Sequence, residues 1–309
     1  MRLSLRQLSI FIAVADTGST TAAALRVALS QSATSGALNE LEGLLGALLF
    51  DRIGKRLVLN DNGRALLPQA RALLDAAQAI ESQFGVGGAP NGAPALASQL
   101  RVGASTTIGN YLLPALVASY RRDWPTTAID VRIGNTRDVA AGVARLEVDM
   151  GLIEGPCHEA ELAVSPWRED ELVVVCGAGH ALAPAPGRPR VSQASLRQAV
   201  WLLREPGSGT REAVENALLP HLHQWGGEMQ LGSTEAIKQA AAEGLGLACL
   251  SRYAVQDQVA LGRLVVLNTT LPRLSRMFYL VHHRQKQFSV PLARFVAHCT
   301  GAVRGPLSR

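Results

Sequence analysis

Residues 85–98 read GVGGAPNGAPALAS, a run of glycine, proline and small side chains with too little apolar bulk to join a core. The run predicts a linker, and it divides the 309-residue chain into two parts that must each find a core of their own. Before it, apolar residues recur at helical spacing. After it, short β-rich runs alternate with helical ones.

In the first part, a helix is expected from about Ser4 to Thr17, with Leu5, Leu8, Ile12 and Ala15 on one face and Phe11 beside them. Gly18 ends it and Ser19 caps a short second helix, Thr20 to Arg26. After a tight turn, Ser30 caps a third helix from Gln31 to about Leu45, whose buried stripe is Leu38, Leu41 and Leu45. Gln31, Ser32, Thr34, Ser35 and Asn39 crowd its first turns, and none of them needs a core. The segment LFDRIGKRLVLNDNG then reads as a small hairpin carrying Arg52, Lys55 and Arg56.

Two short helices, a turn and a basic hairpin suit a winged helix-turn-helix. Its second helix enters the major groove, the one groove that admits a helix and displays all four base pairs distinctly. Short polar residues at that helix's start permit close approach, and basic residues on the wing neutralise phosphates. The candidate DNA contacts are therefore Thr20, Gln31, Ser32, Thr34, Ser35, Asn39, Arg52, Lys55 and Arg56. An ordinary three-helix packing unit is the bland alternative, but Lys and Glu would then be the usual choice on the exposed helix end. A long helix follows from Asn60 or Asp61 to about Phe84. Its apolar residues Leu66, Ala70, Leu73, Ala77, Ile80 and Phe84 step by four and three, a heptad seam narrow enough to suggest a partner helix from a second chain. Pro68 allows a kink or a late start.

The second part alternates strands and helices, which implies mainly parallel sheets with helices on both faces, arranged as two small α/β lobes. Strands are expected at Leu100–Ala104, Ile129–Gly134, Met150–Glu154, Glu171–Cys176 and Met277–His282, among others, with helical patterns at 109–122, 136–146, 211–219, 234–243 and 251–260. Lobes of this kind bind ligands at strand ends, where helix N-termini point inward. Ser105, Thr106 and Thr107 follow the first strand and offer three hydroxyls where capping needs one. Ser208 and Thr210, in the run GSGT, open a later helix and could equally be no more than a turn. Glu154 ends a strand and Lys238 begins a helix; an ion pair between the lobes and ligand contact are both open for them. Trp167 lies at the crossing between lobes, where packing is the simpler reading. These eight residues are the candidate effector contacts, and no cofactor or metal is expected.

Composition supports two globular units: 48% of residues are hydrophobic and 18% charged. No apolar run approaches membrane-spanning length and the first residues lack a signal-peptide pattern, so a cytoplasmic protein is expected. The net charge of +5 permits a polyanionic partner without proving one. Cys157, Cys176, Cys249 and Cys299 share no metal-ligand spacing and read as free thiols. A thiol sensor at Cys157, beside His158, is the rarer reading. An enzyme is disfavoured, because there is no G-x-S-x-G elbow and the glycine run lacks the Lys of a phosphate-binding loop. A pure solute-binding protein would not need the N-terminal module.

The segments LRQLSIFIAVADTGSTTAAA, LSQSATSGALNELEGLLGALLFDR and GKRLVLNDNGRALL, together covering residues 3–67, resemble the LysR-type transcriptional regulators. The resemblance continues through ASTTIGNYLLP, VDMGLIEGPC, EDELVVV, REPGSGTRE and STEAIKQAAAEGLGLACLSR. It implies a winged helix-turn-helix over 1–60, a dimerising linker helix over 61–87 and a hinge over 88–98. Beyond these it implies a periplasmic-binding-protein-like effector domain, with lobe I at 99–166 and 270–300 and lobe II at 167–269. It further implies duplex DNA and a second copy of the chain as partners, as homodimer or homotetramer, with RNA polymerase a further partner. The Ser105–Thr107 loop and Thr210 are implied as effector contacts. Within the family the chain is similar to the YeiE-like subgroup and more loosely to CysB, which implies small sulfur oxyanions as effectors, sulfite for YeiE-like members. The loop after the first strand is shorter than that of CysB, so a sulfate-like mode of binding does not carry over.

Overall fold

The computed structural model describes residues 3–54, 56–83 and 99–301, which form two compact units. Lys55, Phe84 and the expected linker lie outside the described residues.

The first unit contains α1 (Leu5–Thr17), α2 (Thr20–Arg26), α3 (Gln31–Leu45), β1 (Phe50–Ile53), β2 (Arg56–Leu59) and α4 (Asp61–Gln83). A reciprocal capping box between Ser4 and Gln7 starts α1. Ser19 and Ser30 accept from Ala22 N and Ala33 N to start α2 and α3. Gly18 closes α1 with φ of 66°, a conformation that favours glycine, and its carbonyl accepts from Leu57 N at 2.9 Å. That bond ties the β1–β2 hairpin to the α1–α2 corner. Leu8, Phe11, Val14, Ala23, Leu38, Leu41 and Phe50 form the core, with the Phe11 and Phe50 rings 5.6 Å apart.

Three expectations shift here. Leu5 and Leu45 are exposed, because the buried faces of α1 and α3 run through Phe11–Val14 and through Leu38–Leu41. Thr34 is completely buried, and its hydroxyl donates to Ser30 O. It holds the first turn of α3 and cannot reach DNA. Helix α4 runs through Pro68 without interruption. Leu67 and Ala70 join the core, whereas Leu73 and Ile80 are 49% and 59% exposed.

The second unit carries a seven-stranded sheet in the order β10-β6-β11-β5-β3-β4, with β9 pairing against β6. The strands are β3 (Gln99–Ser105), β4 (Ala128–Gly134), β5 (Met150–Glu154), β6 (Leu162–Gly177), β9 (Ala248–Ser251), β10 (Leu264–Val266) and β11 (Leu274–His283). A parallel pair, β7 (Val200–Leu203) and β8 (Gly227–Gln230), stands apart. The helices are α5 (Thr106–Tyr111), α6 (Leu113–Asp123), α7 (Thr136–Ala144), α8 (Gln193–Gln198), α9 (Gly209–Leu222), α10 (Thr234–Ala242) and α11 (Arg252–Ala260), while α12 (Val290–Cys299) is divided, its residues up to Phe295 counting with the first unit.

The sheet is mixed rather than mainly parallel. Only β3–β4 and β3–β5 run parallel, because β6 and β11 are long antiparallel strands that cross the unit from one end to the other. One end holds a core around Val139, Val143, Ile153 and Val281, and the other holds cores around Trp201, Leu218 and Cys249 and around Val175, Ile237 and Leu250. These ends are the two lobes. The expected helix over 109–122 is two helices. Pro114, near the start of α6, has no N–H to continue α5, and the chain turns at Leu112. No helix among the described residues is long and apolar enough to cross a membrane.

Candidate nucleic-acid interface and ligand cleft

On the first unit, the start of α3 presents Gln31 and Ser32 exposed and Ser35 half-buried, with Asn39 exposed two turns on. Gln31 Nε2 donates to Thr20 Oγ1 at 3.3 Å, so the start of α2 and the start of α3 meet at one exposed surface. Ser30 and Ser32 hydroxyls lie 3.0 Å apart on the same rim. Arg52 and Arg56 are exposed on the hairpin. A row of small hydroxyl and amide groups flanked by guanidinium groups is suited to base edges and phosphates.

In the second unit, the carboxyl end of β5 carries Glu154, 2% exposed. Its Oε1 accepts from Thr107 N at 2.5 Å, and its Oε2 accepts from the hydroxyls of Thr107 at 2.9 Å and Thr210 at 2.7 Å. Arg276, on β11, places Nη1 2.9 Å from Glu154 Oε2 and Nε 2.8 Å from Asp170 Oδ2 on β6. Ser251 donates to the other Asp170 oxygen at 2.7 Å. One buried guanidinium thus bridges two buried carboxylates. Burial by itself would raise the pKa of Glu154, but the Arg276 charge and the Thr210 and Thr107 hydroxyls outweigh it and hold the group below its ordinary value. At Asp170 burial wins, and the pKa is raised. Ser105 Oγ is buried beside Glu154, near enough to add slightly to the lowering there, yet it has no hydrogen-bond partner of proper geometry.

Gly209 lets α9 reach this place. A Cβ there would come within 1.5 Å of Glu154 O, so only glycine permits the contact that delivers Thr210 to the carboxylate.

The expected residues divide. Ser105, Thr107, Glu154 and Thr210 meet in one cluster. Thr106 is adjacent; its hydroxyl donates to Gly134 O and receives Arg204 Nη2 at 3.5 Å. Ser208 acts as the α9 N-cap and lines a separate cavity of about 450 Å³ with Thr136, Arg137 and His158. The ion pair between Glu154 and Lys238 is not formed. Lys238 pairs with Glu235 at 2.9 Å and donates to Tyr111 OH at 2.9 Å, joining α10 to α5. Trp167 donates from Nε1 to Cys299 O and packs near Phe278, a structural role in the crossing strand.

Residues 5–64 match the family model described as bacterial regulatory helix-turn-helix protein, lysR family, and residues 94–304 match the LysR substrate binding domain. The chain belongs to the LysR family of transcriptional regulators. It is 49% identical over 98% of its length, and 99% of the other's, to the Escherichia coli K12 regulator YeiE, which is described as an uncharacterized HTH-type transcriptional regulator. A full-length OxyR variant from Pseudomonas aeruginosa superposes with a TM-score of 0.77 at 24% identity, covering 98% of this chain and 95% of that one. The regulatory domain of Synechocystis CcmR, solved in complex with 2-PG, is 28% identical with a TM-score of 0.60, covering 66% of this chain and 97% of that one.

This LysR-type regulator binds DNA through the helix-turn-helix of its first unit and carries its effector domain in the second. Sequence reasoning missed Arg276 and Asp170. A signal was present: along β11, Leu274, Arg276 and Phe278 share the buried phase, as Asp170, Leu172 and Val174 do along β6. A charge in phase with a core face marks a buried partner.

Proposed function

We propose that this regulator responds to a small oxyanion bound at the buried cluster of Ser105, Thr107 and Thr210, with sulfite the first candidate. The observation that carries this reading is the orphaned Ser105 hydroxyl, buried among donors that already hold one carboxylate. A buried polar atom without a partner is costly and signals a missing one. The Ser105 hydroxyl stands as a further donor beside the Thr107 amide, the Thr107 and Thr210 hydroxyls and Arg276, which already hold the Glu154 carboxylate. The complex of the CcmR regulatory domain with 2-PG supports a small ligand in this kind of domain. Similarity to YeiE supports sulfite through the subgroup resemblance.

The regulator works in the cytoplasm on duplex DNA as a homodimer or homotetramer, its chains paired through the α4 stripe of Leu73 and Ile80. Effector binding favours one lobe arrangement, and only a difference in affinity between arrangements shifts promoter occupancy. Thermal shift of the purified protein with sulfite, sulfate and small carboxylates tests the site. Footprinting of its own promoter region with and without sulfite tests the coupling. A raised Tm with a changed footprint is expected; no stabilisation by any small anion would overturn the reading.

A further inference from the structure

Among the described residues, three cations around the cluster are already engaged by carboxylates, while Arg137 is exposed at the neighbouring cavity lined by Ser208. Arg204 is held by Glu205 at 2.7 Å and Lys238 by Glu235. Arg276 faces the cluster, and it is shared between Glu154 and Asp170, so the buried trio of Arg276, Glu154 and Asp170 is negative when ionised. Two further titratable groups of the second unit add no positive charge. Burial pushes the Cys249 thiol on β9 up to about 12, and burial together with Glu235 raises the Tyr111 phenol. Glu154 is itself an anion seated on the Thr107 amide and the Thr107 and Thr210 hydroxyls. A second anion entering beside it meets like charge in a dry place, where two negative oxygens come together only by sharing a proton.

We infer that the ligand of this cleft is a hydrogen-bearing oxyanion, which donates an O–H to the Glu154 carboxylate while its remaining oxygens accept from Ser105 and its neighbours. This inference rests on the proposal that the cleft takes an oxyanion, and it adds the protonation state. Glu154 is then the specificity residue: it rejects oxyanions that carry no proton near neutral pH, such as sulfate, and admits those of weak acids, such as hydrogensulfite, hydrogencarbonate or the phosphate monoanion. The proton stays between ligand and carboxylate, and no covalent bond changes.

Calorimetric titration of the full-length protein tests this with sulfite, phosphate and sulfate across a pH series. Above the ligand's own pKa, affinity for sulfite should fall about tenfold per pH unit, and binding should take up one proton per site, read from buffers of different ionisation enthalpy. Sulfate should bind at least ~100-fold more weakly than sulfite, since a site that accepts a ligand O–H rejects the analogue without one. Glu154→Gln, whose amide donates, should flatten the pH slope and admit sulfate. Circular dichroism and promoter binding report whether that variant is folded, and proton uptake by the unaltered protein does not depend on it. Sulfate binding as tightly as sulfite, or sulfite binding without proton uptake, overturns the inference while leaving the cleft an oxyanion site. Binding of none of the three overturns the cleft reading as well.

Discussion

Arg276 Nη1 lies 2.9 Å from Glu154 Oε2, with both side chains about 3% exposed, and the same guanidinium reaches Asp170. A buried pair of this kind is weak evidence for net stability, but removing one partner leaves charge uncompensated in a dry place. Arg276→Met strands two carboxylates. It should therefore destabilise the second unit by about 3–5 kcal/mol and lower Tm in calorimetry. A change within experimental error would mean that water reaches the trio.

The trio also sets the acid response, and its members oppose one another. Glu154 has a folded pKa below its ordinary 4.5, so its contribution to stability is present above that value and lost as the pH falls. Asp170 has a raised pKa; its contribution is present in acid and lost as the pH rises through the folded value. Glu154→Gln should flatten the acid limb of Tm against pH between about 3 and 6, and Asp170→Asn should steepen it. Identical limbs for both variants would contradict the assignment.

Three of the four cysteines are closed to reagents at neutral pH. Burial pushes Cys176 up to about 11, and Cys249 and Cys299 up to about 12. Cys157 is half-buried. Iodoacetamide at neutral pH should modify at most one thiol per folded chain, at Cys157, by mass spectrometry. Rapid labelling of Cys176 or Cys249 would show the cores around β6 and β9 opening.

The cleft was legible in the sequence where local chemistry marks it. Three hydroxyls after a strand, a carboxylate at a strand end and a glycine-rich helix start are short-range signals, and Ser105, Thr107, Glu154 and Thr210 do meet. What escaped was long-range. Arg276 stands 106 residues from Asp170 along the chain, and nothing in either neighbourhood names the other. The first half of β6 was missed because Ser165 to Glu169 is largely polar and the strand is mostly exposed there. Thr34 was misread because polarity does not tell a helix's inner face from its outer one; its hydroxyl is satisfied by Ser30 O and so can be buried.

Two neighbours on α3 differ in exposure. Gln31 faces solvent and Thr34 does not. Gln31→Ala should cost about 1–3 kcal/mol on the operator and relax preference at one base pair, as expected for a Gln that reads adenine. Arg52→Ala and Arg56→Ala should each weaken binding evenly across sequences and reduce the salt slope by about one. Fluorescence anisotropy with operator and scrambled duplexes at several salt concentrations separates these behaviours. Equal loss on both duplexes for Gln31→Ala would remove it from base recognition.

Helix α4 leaves Leu73 and Ile80 bare while Leu67 and Ala70, nearer its start, are buried in the first unit's core. Seven residues separate the two exposed side chains, so they stand on one stripe of the helix, the spacing by which a helix packs against a partner's. Each is worth about 1.5–3 kcal/mol when fully covered, and a symmetric pairing covers two from each chain. Leu73→Glu combined with Ile80→Glu places like charges on that stripe. The double variant should run as a monomer at micromolar concentration in analytical ultracentrifugation and lose operator affinity, because a single recognition helix then reads only half a site. Its melting should stay cooperative, since neither residue contributes to the core of its own chain. A double variant that still sediments as the unaltered protein does would place the interface elsewhere on the chain.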